Sequence, residues 1–150
     1  MIRKAIMSDA DAILGLINPH AAQGLMLSKK PYDIYRNIMN FFVIEEEGKV
    51  VGCAKISIVW RDLAELVSLA VDSDVHGQGV GKQLVQACLD EAKHIGIARV
   101  FTLTLQCDFF SKCGFTEVPH SALPHRVFGK CLACPKADCC DEHAFVIDIK

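Results

Sequence analysis

The sequence predicts an α/β domain, and three observations carry that prediction. An apolar run over residues 66–71 has the length and composition of a buried strand. It leads into a turn with glycines at alternate positions, Gly77, Gly79 and Gly81. A helical pattern follows at once, with Leu84, Val85, Cys88, Leu89 and Ala92 on one face. Strand-like and helix-like segments alternate in the same way along the rest of the chain.

Residues 2–6 read as a first strand. Ser8 with Asp11 three residues on has the form of a capping box. The helix it would open carries Ile13, Leu14, Leu16 and Ile17 and is expected to stop near Pro19. Residues 20–30 read as a loop. Pro31 suits the first turn of a second helix, in which Tyr32, Tyr35, Ile38 and Met39 recur at helical spacing. Residues 41–45 and 50–59 are β-rich and flank Glu47-Gly48, the signature of a hairpin. Residues 60–63 would turn the chain into the strand 64–71. The glycine turn and a helix to about His94 come next, with Gly96 as C-cap. Residues 99–105 form a further strand, since Val100, Phe101, Leu103 and Leu105 favour extended backbone. A short helix over 108–112 ends at Gly114, strand 115–118 follows, 119–142 is irregular, and the alternating segment 144–149 closes the sheet.

The chain has 150 residues, of which 51% are hydrophobic and 23% charged, enough for a real core in one domain spanning residues 1–150. The net charge of −2 and the absence of any Lys/Arg run argue against a nucleic-acid partner. No apolar stretch reaches the roughly 18–20 residues that span a bilayer, which argues against a membrane partner. The N-terminus lacks the apolar core of a signal peptide. Eight cysteines without an export signal point to reduced thiols and a cytoplasmic location.

A strand, a glycine-rich turn and a helix N-terminus make a cradle for a diphosphate. Glycine removes the Cβ that would hold an anion off the backbone, and the free N–H groups of a helix start attract negative charge. The spacing matches neither of two familiar cradles. A P-loop requires Ser or Thr after Gly-Lys, and Gln83 follows Gly81-Lys82. A dinucleotide fingerprint requires G-x-G-x-x-G, and the glycines here stand at 77, 79 and 81. His76-Gly77-Gln78-Gly79-Val80-Gly81 instead resembles the coenzyme A loop of the GNAT acetyltransferase superfamily, Q/R-x-x-G-x-G/A, with His76 where Arg or Gln is usual. The element order βααβββαβαββ and the step Cys113-Gly114-Phe115 extend that resemblance over nearly the whole chain.

The resemblance implies the GNAT fold: a mixed, mostly antiparallel sheet with a parallel central pair that splays apart, flanked by helices. It implies acetyl-CoA as cosubstrate, with its pantetheine arm along the backbone of Leu69, Ala70 and Val71. The diphosphate would lie on His76, Gly77, Gln78, Gly79, Val80, Gly81 and Lys82. Acetyl transfer to an amine needs a base, an oxyanion donor and a way for the thiolate to leave. Glu65 is the candidate base, with Asp62 and a water chain as rivals. A backbone N–H near Ala70 or Val71 would meet the oxyanion. The family's usual thiolate-protonating Tyr, four residues before the glycine of the GF step, is Phe110 here. Solvent, Ser111 or Cys107 would then supply that proton. A covalent route through Cys107 is not favoured, because no His partner can be placed beside it.

A narrower resemblance comes from Leu69-Ala70-Val71, Thr102-Leu103-Thr104, the segment 109–115, and Leu123-Pro124-His125-Arg126 followed by Cys131-x-x-Cys134-Pro135 and Cys140-Asp141-Glu142. These look like the stand-alone bacterial N-acetylglutamate synthases, whose acceptor is L-glutamate and whose product opens arginine biosynthesis. Two carboxylates on the acceptor call for cations. Arg126 is the first candidate and Lys29 or Lys30 the second, with Arg3 and Lys130 weaker. An enzyme for another small amine or a protein N-terminus, and a non-catalytic sensor of acetyl-CoA or an amino acid, are the alternatives.

Four thiols, Cys131, Cys134, Cys139 and Cys140, fall within ten residues, with His125 and His143 nearby. The C-x2-C pair admits a structural zinc. The adjacent pair argues against it, since neighbouring cysteines rarely chelate one ion together. Packing thiols are the favoured reading, a redox-sensitive disulfide formed under oxidation is the other alternative, and no metal is assigned. Cys53, Cys88, Cys107 and Cys113 fall within patterned elements and read as small core residues. A homodimer is compatible with the resemblance, with Trp60 or Phe128 at the contact.

Overall fold

The computed structural model describes residues 1–22, 29–124 and 142–149, without the side chains of 20–22. Arg126, Phe128, Lys130, His125 and the cysteines at 131, 134, 139 and 140 therefore lie outside the described residues. In chain order come β1 (Ile2–Lys4), α1 (Ala10–Ala22), α2 (Pro31–Arg36), β2 (Phe41–Glu46), β3 (Lys49–Trp60) and β4 (Leu63–Val71). They are followed by α3 (Val80–His94), β5 (Arg99–Thr104), α4 (Cys107–Lys112), β6 (Thr116–Val118) and β7 (His143–Asp148). The strands form one seven-stranded sheet in the order β1-β2-β3-β4-β5-β7-β6. Among the described residues only β4 and β5 run parallel, and the other pairs are antiparallel.

Period-2 alternation sorts the strand side chains onto two faces. On one face Ile44, Ile56, Leu66 and Val100 pack under α3, which presents Leu84, Val85, Cys88 and Ala92, the stripe read from the sequence. On the other, Phe41, Val43, Cys53 and Ala70 pack against Ile13 and Ile17 of α1 and Ile34 of α2. Leu66 and Ala70 are four apart on β4, yet they face opposite sides. The cause is a bulge. Between the pairs Cys53↔Ala70 and Lys55↔Val67, β4 holds one more residue than β3. Ser68 takes up the excess with φ +59, in the left-handed region. The slip turns Leu69 and Val71 toward the α3 face. The Cys53 Sγ donates to the Ser68 carbonyl at 3.5 Å.

The β2–β3 hairpin turns at Glu47-Gly48 as expected, with φ of 51 and 77 at the two residues, the type I′ pattern. Gly52, opposite Val71, lies under two α3 side chains. A Cβ there would lie 2.9 Å from Leu84 Cδ1 and 3.0 Å from Val80 Cγ1. Both neighbours are buried. Gly52→Val is expected to cost about 1–3 kcal/mol by overpacking, read as a lower urea midpoint at unchanged m-value.

Three boundaries differ from expectation. The first helix is not opened by a Ser8/Asp11 box. A 3₁₀ turn over Met7–Asp9 precedes it, and Asp9 accepts the Ile6 N–H at 2.8 Å. Arg3 explains the choice, because its guanidinium grips Asp9 through two bonds of 2.7 and 3.0 Å and Glu45 through two of 2.7 and 3.2 Å. Helix α1 also does not stop at Pro19 but runs to Ala22. The missing N–H falls near the helix end, where it removes only the bond to Gly15. The second helix breaks at Asn37, whose side chain donates to the Asp33 carbonyl at 2.7 Å, and Ile38–Asn40 continues as a separate 3₁₀ turn.

The Arg3 grip holds the nearly buried Asp9 carboxyl below the usual carboxylate range. Its stabilising contribution is therefore present above the ordinary carboxylate value, about 4. It is lost as pH falls through the lower value of the folded state. Thermal midpoints measured across acid pH should show this loss in the wild type and a flatter limb in Asp9→Asn.

No helix among the described residues is long and apolar enough to cross a membrane.

Candidate active site

The parallel pair holds for only three registers, Leu63↔Arg99, Ala64↔Val100 and Glu65↔Phe101. Beyond Glu65 the two strands part, β4 staying on β3 and β5 on β7. The fork opens a cleft of about 920 Å³. Its walls are α1 on one side and the N-termini of α3 and α4 on the other.

The bulge decides which backbone groups face this gap. The Asp72 N–H donates back to Val51 on β3 at 2.8 Å. Bonding directions alternate along a strand, so Ala70 also faces β3, while the groups of Leu69 and Val71 turn to the open edge. The Val71 carbonyl confirms the direction, since His76 Nε2 reaches it at 3.1 Å. Of the two N–H groups, Val71's and not Ala70's therefore faces the gap. Ala70's side chain is buried on the α1 face and does not line the cleft.

At the open end of the fork the chain is shaped for an anion. Asp72 accepts the Asp74 N–H at 2.9 Å and the Lys49 ammonium at 3.1 Å, fixing the 3₁₀ turn Ser73–Val75. Gly77 and Gly79 have φ of 83 and 78, and Gly79 is the N-cap of α3. The first intrahelical bond runs from Gln83 N–H to the Gly79 carbonyl, so the N–H groups of residues 80–82 have no helical acceptor. These donors and the positive end of α3 face the cleft together with Lys82. Gly81 allows α4 to close in, since a Cβ there would stand 3.2 Å from the Phe109 ring.

Of the residues read from the sequence as cofactor contacts, Leu69, Val71, His76, Gly77, Gly79, Val80, Gly81, Lys82 and Phe110 line the cleft. Gln78 does not; it lies on an adjoining acidic depression with Glu45, Glu46 and Asp74. Phe110 is buried and locked edge-on between Phe109 and Phe115, at centroid distances of 5.0 and 5.3 Å. Neither Ser111 nor Cys107 lines the cleft.

Glu65 stands at the last paired register, 8% exposed, on the cleft wall. Its rival Asp62 sits in the β3–β4 turn, where its carbonyl accepts the N–H groups of Ala98 and Arg99, outside the cleft. Lys29 lines the cleft, whereas Lys30 is exposed and Arg3 is committed to Asp9 and Glu45. Arg126 is outside the described residues. Burial pushes the thiols of Cys53 and Cys88 up to about 12, so both are neutral packing groups. Among the described residues no group of three or more His, Cys, Asp or Glu could hold a metal ion.

Sequence reasoning missed Ser68, Thr102, Thr104 and Gln106 on the cleft wall. The threonines entered the sequence reading only within a strand and a segment of family resemblance, with no role of their own, and a serine inside an apolar run gives no sign of a left-handed bulge.

Comparison with known proteins gives the same picture. The profile described as "Acetyltransferase (GNAT) family" matches residues 16–115. An "Uncharacterized N-acetyltransferase" of Chlorobaculum tepidum is 35% identical over 145 residues, covering 97% of this chain and 94% of that protein. An "Amino-acid acetyltransferase" of Mycobacterium tuberculosis is 35% identical over 131 residues, 85% of this chain and 75% of that one. The crystal structure of N-acetylglutamate synthase from Neisseria gonorrhoeae, complexed with coenzyme A and N-acetyl-glutamate, superposes with a TM-score of 0.91 at 27% identity. It covers all of this chain, which spans only 35% of that longer protein. With the forked parallel pair, the glycine cradle and these matches together, the chain belongs to the GNAT family of acetyltransferases.

Proposed function

We propose that this protein transfers the acetyl group of acetyl-CoA to the α-amine of an amino acid, L-glutamate, by direct attack in a ternary complex. The observation that carries the reading is the cleft itself. It has backbone N–H groups without helical acceptors at its open end, a nearly buried carboxylate at the fork, and Lys29 in its lining. The relatives named for amino-acid acetylation and for N-acetylglutamate synthesis support the choice of acceptor.

In this reading Gly77 and residues 79–82 hold the diphosphate and the pantetheine arm follows the open edge of Leu69 and Val71. Glu65, directly or through a water, takes a proton from the acceptor ammonium. The amine nitrogen then bonds to the thioester carbon, and the Val71 N–H donates to the oxyanion that forms. The nitrogen, now cationic, gives its second proton to solvent, and collapse breaks the carbon–sulfur bond. The thiolate takes its proton from solvent, since Phe110 offers no hydroxyl. Lys29 and Arg126 bind the acceptor's carboxylates. The product would enter arginine biosynthesis, in the cytoplasm.

Phe110 also favours a second reading, a sensor that binds acetyl-CoA without turnover. Thiol release measured with each of the twenty amino acids separates the two. Release that depends on glutamate supports the enzyme. Binding of acetyl-CoA with no release above hydrolysis supports the sensor.

A further inference from the structure

We propose that Asn18 is a positioning residue that sets the acceptor's carboxylate contact by fixing the backbone of Lys29; the inference rests on the amino-acid acetyltransferase reading above. Asn18 lies near the end of α1, its side chain exposed and the residue itself outside the cleft lining. Its amide reads both backbone groups of one residue. Oδ1 accepts the Lys29 N–H at 3.2 Å, and Nδ2 donates to the Lys29 carbonyl at 3.4 Å. An amide side chain carries a donor and an acceptor on one planar group, which suits it to hold a residue's backbone in this way. On the other side Lys30 gives its N–H to Asp33 at 3.1 Å, which starts α2. Lys29 is therefore pinned from both directions.

The charges around the cleft explain why that pinning bears on substrate choice. Among the described residues that line it, Glu65, Asp72 and Glu142 are acidic, and the lysines are Lys29 and Lys82. Lys82 stands in the first turn of α3, beside the glycine cradle. Lys29 instead shares its wall with Gly15, Leu16 and Pro19 of α1. It is the described lysine left for a carboxylate of the acceptor. A lysine is a point charge on a long, mobile stem, so its selectivity depends on where its backbone is held.

The test uses the whole chain and four forms: wild type, Asn18→Ala, Lys29→Met and the double variant. Both positions are partly or fully exposed. Each form is assayed for kcat and KM with L-glutamate and with its two monoamides, L-glutamine and L-isoglutamine, and for the KM of acetyl-CoA. The preference for L-glutamate over one monoamide should fall about tenfold in Asn18→Ala, the loss expected when a hydrogen-bonded anchor is removed. It should fall at least as far in Lys29→Met and no further in the double variant, while the KM for acetyl-CoA stays level. Additive losses, an unchanged preference, or an equal rise in both KM values would overturn the positioning role alone. A wild type with no amino-acid-dependent thiol release would overturn the acetyltransferase reading and this inference with it.

Discussion

Glu65→Gln is expected to lower kcat for acetyl transfer by about 10²–10⁴-fold, the usual range for a positioned general base. The substitution is nearly isosteric, so the fork should stay packed, and the KM for acetyl-CoA should change little. The deficit should narrow as pH rises, because the free amine fraction grows without help from the protein. The position explains the size of the effect. Glu65 sits at the last paired register of the parallel strands, buried, where the cleft begins. Asp62, its rival in the sequence, is held in a turn away from that point. Steady-state rates over a pH series check the claim, and an unchanged kcat would transfer the base role to a water chain.

Gly79→Val is expected to weaken acetyl-CoA binding about ten- to hundredfold. Gly79 caps α3 with φ +78, and a β-branched residue there costs on the order of 1–3 kcal/mol of backbone strain. Relief of that strain would re-aim the N–H groups of residues 80–82, on which the diphosphate depends. Gly96 supplies the control. It lies just past the other end of α3 with φ +94 and is outside the cleft. Gly96→Val should lower stability through similar strain and leave acetyl-CoA affinity near wild type. Calorimetric titration of both variants, beside a thermal melt of each, separates strain from binding.

The parts of this protein that were legible in its sequence are those fixed by local chemistry. Glu47-Gly48 turns its hairpin because both residues adopt positive φ, and the stripe from Leu84 to Ala92 is the buried face of α3. The glycines at 77 and 79 do take the left-handed conformations that a tight cradle needs. What the sequence withheld depends on distant partners. Asp9 fixes the 3₁₀ turn that leads into the first helix, where a Ser8/Asp11 box was expected, because Arg3 reaches it from β1. The parting of β4 from β5 was expected only through resemblance, and the bulge at Ser68 was not expected at all. That bulge decides that Val71 and not Ala70 faces the gap. The clamp of Asn18 on Lys29 joins residues eleven apart across a connection that no periodicity describes.

The most direct measurement is a calorimetric titration of acetyl-CoA into the wild-type chain. Saturable binding at one site per chain, weakened in Gly79→Val and kept in Gly96→Val, is the predicted result. A wild type that gives no binding, or a loop variant that binds as tightly as wild type, would contradict a coenzyme held on the backbone between β4 and α3.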